Sequence, residues 1–182
     1  VNILTRLLLA IFSPAFLIVF VTAFRELVKR VNPDCEWVGS PAFAVGLVYV
    51  AVTLVSSGLE AGAVIAADRA IDPTIAVSGT YVLYGSIGKV LTALFLTVVG
   101  FGISRTNLLP RWTGRSAYVL AGVNPAFVPS LFFGNDPVDF YAANGWGTTA
   151  SLGAILSYWL LALGITTYRS ATTRAALPAQ RR

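Results

Sequence analysis

The chain has 182 residues, of which 56% are hydrophobic and only 12% charged, with a net charge of +5 and no histidine. A mean hydropathy of +0.74 leaves too little polar surface for a soluble domain, so one membrane-embedded domain is the default. The lack of histidine and the single cysteine, Cys35, exclude bis-histidine haem, His-ligated zinc, His general-base chemistry, an internal disulfide and Cys-rich metal centres.

Five apolar runs account for most of the sequence. The first, residues 3–24, carries Pro14 near its middle as a kink and ends in Arg25, Glu26, Lys29 and Arg30. It is too long, and lacks a cleavage site, for a signal peptide, so it reads as a permanent span. The second, residues 41–67, follows a polar loop and opens on Pro41, which suits a first helical turn. The third, residues 79–103, follows the turn signal Asp72-Pro73. The fourth and fifth are residues 116–133 and 148–168. At ~1.5 Å rise per residue, helices of this size cross a hydrocarbon core of about 30 Å. The expected fold is therefore all-α: a polytopic transmembrane helical bundle of five spans over residues 1–169. A basic, disordered cytoplasmic tail over residues 170–182 follows.

The basic residues fall on alternate connections. Arg25, Lys29 and Arg30 follow the first run, Arg105, Arg111 and Arg115 the third, and Arg169, Arg174, Arg181 and Arg182 the fifth. The opposite connections hold Asp68, Arg69 and Asp72, then Asp136 and Asp139. By the positive-inside rule the basic set is cytoplasmic, and the acidic loops and N-terminus lie outside. Because the positive charge flanks apolar runs, it reads as orientation signal and lipid contact, and nucleic acid is rejected as a partner.

Few residues in this pattern carry chemistry. Glu60 and Lys89 are charges well inside apolar runs, where each costs ~2.5–3.5 kcal/mol unless something offsets it. At the helical rise they lie about 10 and about 15 Å below the outer surface, close enough in depth to meet across an antiparallel pair. Thr53 and either Ser56 or Ser57 accompany Glu60 at helical spacing, and Gly85, Gly88 and Thr92 accompany Lys89. Gly58 and Gly62 offer a small-xxx-small step for close helix approach. The pair is either an ion pair that fixes helix register or a substrate, proton or ion site. Asn124, Pro125 and Pro129 should interrupt the fourth helix, as in some transporter sites and in many ordinary membrane helices. The loop over residues 133–147 reads as an aromatic belt with solvated aspartates, or else as a binding loop. No serine has a histidine partner, and no phosphate-binding loop occurs outside a span.

The stretch LFLTVVGFGISRTNLLPRWTG, residues 94–114, resembles bacterial integral membrane proteins of the DUF4386 type. The resemblance is carried by Arg105, Leu109, Pro110, Arg111, Trp112 and Gly114. A looser similarity covers SSGLEAGAVIAADRAIDP, and the whole extends over residues 38–133. It implies six spans with both ends cytoplasmic and no known reaction. Together with the Val1 start, it raises the expectation of a missing N-terminal span. Independently of the family, Pro110 is read as ending a helix, with Arg111 at the headgroups and Trp112 anchored at the interface.

The function expected is that of a non-enzymatic integral membrane protein, an accessory or sensing subunit with an intramembrane polar seam. The alternative is a small transporter or channel-like protein for an amphipathic or ionic substrate. No catalytic residue, metal or cofactor is assigned. The partners expected are membrane lipids, with other membrane proteins or a second copy of the chain as further candidates.

Overall fold

The computed structural model describes residues 12–66, 85–107 and 109–176. Five α-helices occupy them, with no strand among the described residues: α1 (Phe12–Val31), α2 (Glu36–Ala66), α3 (Ser86–Thr106), α4 (Arg111–Ala126) and α5 (Leu152–Ala176). Short 3-10 turns at Pro33–Cys35 and Val128–Phe132 and a π-helical turn at Gly147–Ser151 join them. Three segments among the described residues are long and apolar enough to cross a membrane: Trp37–Gly62, Ser86–Thr106 and Gly147–Ser170. The described part of α1 ends in a charged turn with Lys29 and Arg30, and α4 has only 16 residues.

Several boundaries differ from those read in the sequence. Helix α2 starts at Glu36, so Pro41 lies inside it rather than at its first turn. Helix α3 ends at Thr106 on Asn107, which adopts the left-handed conformation (φ 49°, ψ 29°) that Asn tolerates at a helix terminus. Pro110 then caps the start of α4 and does not end α3. Its fixed φ and missing N–H suit that position as well as they suit a stop. Helix α5 runs to Ala176, into the segment read as a tail. The expected span starts at residues 3 and 79, the second-span end at residue 67, the loop with Asp68, Arg69 and Asp72, and residues 177–182 lie outside the described residues.

Small residues set the helix crossings. A Cβ on Gly46 would stand 2.6 Å from Val21 Cγ1, and one on Gly39 would stand 3.1 Å from Arg25 Cγ, so α1 and α2 pack as an antiparallel hairpin. Gly102 admits the Phe24 ring, with 2.8 Å from a built Cβ to Phe24 Cζ. Gly100 faces Ala117 and the Gly114 carbonyl at 3.0 and 3.3 Å, bringing α3 and α4 together. In a bilayer, helices gain little from hydrophobic burial, and close backbone approach of this kind is what supplies van der Waals contact there. Gly58 and Gly62, read as a close-approach step, have nothing within 4 Å of a built Cβ. The core runs through Val21, Phe24, Val28, Leu96, Val99, Ile103, Ala117, Trp159 and Leu163.

These contacts fix the relative directions of the helices. Phe101 packs on Trp37 (5.8 Å between centroids) and Phe95 on Phe20 (6.4 Å), so α3 runs parallel to α1 and antiparallel to α2. Trp159 Nε1 donates to Ser116 Oγ at 2.9 Å, and Ser86 Oγ donates to the Val128 carbonyl at 3.1 Å. The bundle is therefore up-and-down through α5. Arg25, Arg30, Arg105, Arg111, Arg115 and Arg169 gather at one end, and Lys89 with the loop over residues 133–147 lies toward the other.

Candidate functional site

Lys89 stands one turn into α3 and is only 4% exposed. Its ammonium donates to the carbonyl of Thr148, itself completely buried. That carbonyl belongs to the π-helical turn that opens α5, in which Ser151 N donates to Trp146 O at 2.9 Å. The Thr148 hydroxyl donates to Ala142 O at 2.9 Å. A single lysine thus joins α3 to the start of α5, and through Thr148 to the preceding loop.

The partner differs from the one the sequence suggested. Among the described residues Lys89 makes no ion pair with Glu60. Glu60 is half-buried on α2 and has an interaction of its own. No buried side-chain nitrogen or oxygen among the described residues lacks a hydrogen-bond partner. A buried polar interior satisfied in this way meets the condition under which buried charge is tolerated.

The loop over residues 133–147 closes this end. Gly134 takes φ +83°, Asp136 Oδ1 accepts from Val138 N at 2.9 Å, and Ala143 N donates to Gly134 O at 2.9 Å. Tyr141 donates its hydroxyl to the Ala126 carbonyl, one of those left open at the end of α4. Its ring packs against Phe127 (5.3 Å) and Phe133 (5.1 Å), while Phe140 meets Trp146 edge-on at 4.7 Å. A Cβ on Gly145 would collide with the Asp139 carbonyl, and one on Gly147 with the Phe140 ring. Both glycines are required by the tightness of the fold here. Phe133, Val138, Phe140 and Trp146 remain exposed.

Asn124, Pro125 and Pro129 lie where α4 stops. The α-helix ends at Ala126 and passes into the Val128–Phe132 3-10 turn. Each proline lacks the N–H that would continue the ladder. Asn124 is buried and turns its amide back onto Leu120 O at 2.9 Å, so it serves its own helix.

Sequence reasoning missed the role of Thr148, because it acts at Lys89 through a backbone carbonyl that every residue type carries. It also missed the Tyr141 cap and the Trp159–Ser116 bond. The one available signal was the Gly145-x-Gly147 spacing beside aromatic residues. No group of three or more acidic, thiol or imidazole side chains gathers among the described residues. No family model, no curated protein and no solved structure matches the chain.

Proposed function

We propose that this chain is a non-enzymatic integral membrane protein, an accessory or sensing subunit that recognises lipid or a small amphipathic molecule against its helices. Five spans cross a bacterial cell membrane, with the basic end in the cytoplasm. The three apolar helices support membrane insertion. The gathering of Arg25, Arg30, Arg105, Arg111, Arg115 and Arg169 at one end agrees with the positive-inside rule.

The observation that carries the non-transport reading is Lys89. Its ammonium donates to the Thr148 carbonyl, so it ties two helices together, a role that needs no substrate. The second reading, a small transporter, is favoured by two departures from α-geometry at that same end. These are the break after Ala126 and the π-helical turn at Gly147–Ser151, and such irregularities recur at functional sites.

Proteoliposomes holding the full chain separate the two readings. Flux of a panel of ionic and amphipathic solutes is measured for the native protein and for Lys89→Met. The accessory reading expects no protein-dependent flux and a lower unfolding temperature for the variant. Flux that disappears in a folded Lys89→Met protein overturns it in favour of transport.

A further inference from the structure

A cleft of about 190 Å³ lies where α3 hands over to α4, lined by Ile103, Ser104, Asn107, Leu109, Arg111 and Arg115. Ile103 and Leu109 give it an apolar side, and the two arginines, one helical turn apart, give it a cationic one. Other cations at this end are already engaged. Arg25 stacks over Phe43 (5.5 Å) and Arg105 over Phe101 (5.1 Å), and Arg30 pairs with Glu26 at 2.9 Å. Arg111 and Arg115 are exposed and make no hydrogen bond or ion pair among the described residues. No acidic residue occupies the first turn of α4, so nothing there opposes an anion.

The surface continues beyond the cleft. Counting from Arg115, the exposed positions Val119 and Val123 follow at four-residue spacing, with Tyr118 beside them, all on one face of α4. Gly122 leaves open space within that face. From Arg115 to Val123 the track rises about 12 Å, the length of a substantial part of an acyl chain. Trp112, 48% exposed beside Arg111, is the kind of residue that marks headgroup depth. A free phosphate would use the guanidinium forks alone. A lipid uses both the forks and the track.

We infer that Arg111 and Arg115 bind the phosphate of an anionic phospholipid headgroup, with an acyl chain laid along Tyr118, Val119 and Val123. This rests on the membrane-integral reading above.

The test uses the full chain carrying Trp37→Phe and Trp146→Phe. Trp112 is then the exposed tryptophan, while Trp159 is buried. The protein is reconstituted in phosphatidylcholine vesicles containing a minor fraction of brominated phosphatidylglycerol or brominated phosphatidylcholine, and quenching of Trp112 is compared. The expected preference for the anionic lipid is roughly five-fold or more, as follows from ~1 kcal/mol per basic residue near a lipid surface. It falls toward one in the double variant Arg111→Gln/Arg115→Gln and survives in Arg25→Gln/Arg105→Gln, which removes the same two charges outside the cleft. Equal quenching by the two lipids overturns the site, as does an equal loss in Arg25→Gln/Arg105→Gln. Removal of the preference by excess inorganic phosphate overturns the lipid in favour of a free anion. Absence of quenching by either lipid overturns the membrane reading and the site together.

Discussion

Lys89 is the residue at which charge, burial and architecture meet. Its ammonium is held by the Thr148 carbonyl, so deleting the donor leaves a buried acceptor without its partner. Lys89→Met, which keeps the aliphatic stem, is expected to lower stability by about 1–3 kcal/mol. Thermal unfolding in detergent monitored by circular dichroism measures it. Because Lys89 makes no ion pair with Glu60, the losses from Lys89→Met and Glu60→Gln should add to within about 0.5 kcal/mol in the double variant. A rescue in the double variant would restore the ion pair read from the sequence. That Lys89 needed a buried partner was legible, since a charge inside an apolar run demands one. Which partner was not legible, because a carbonyl leaves no trace in residue identity. The glycines give a second contrast at this scale. Gly145→Ala meets the Asp139 backbone, and overpacking of this kind costs about 1–3 kcal/mol. Gly58→Ala enters open space on α2 and should gain about 0.5–1 kcal/mol from helix propensity. The same unfolding experiment ranks the two.

Among the elements, the apolar helices were the most legible and the ends of α4 the least. Segments α2, α3 and α5 announce themselves by unbroken apolar runs. Helix α4 begins with Arg111, Trp112 and Arg115, polar and interfacial residues that made its first turn look like loop. Its far end follows from Pro125 and Pro129. The π-helical turn before α5 has no sequence signature, since Gly147–Ser151 would also suit an ordinary helical start. What holds α4 and α5 together is specific and testable. Trp159 Nε1 reaches Ser116 Oγ at 2.9 Å across an otherwise apolar contact. A double-mutant cycle with Trp159→Phe and Ser116→Ala should give a coupling of about 0.5–1.5 kcal/mol, the net worth of one such bond. A coupling indistinguishable from zero would mean that the two helices are joined by packing alone.

At the scale of the whole molecule, the chain is an up-and-down helical bundle with unlike ends. One end collects Arg25, Arg30, Arg105, Arg111, Arg115 and Arg169, two of them beside a cleft. The other is closed by an aromatic loop fastened through Lys89, Tyr141 and two glycines. The basic connections made the shared end of these arginines readable before any contact was known, because antiparallel neighbours send alternate loops to the same end. The glycines that mediate the crossings were not readable. Gly39, Gly46, Gly100, Gly102 and Gly114 look no different in sequence from Gly58 and Gly62, and only the register of neighbouring helices separates them.

The central claim is that these two ends face opposite sides of a membrane, the basic one inward. Cysteine accessibility tests it most directly. In a Cys35→Ser background, Asp136→Cys and Arg111→Cys are each expressed in intact cells and treated with a membrane-impermeant maleimide. The account predicts that Asp136→Cys is labelled in intact cells and that Arg111→Cys is labelled only after permeabilisation. Labelling of both from the same side would contradict it.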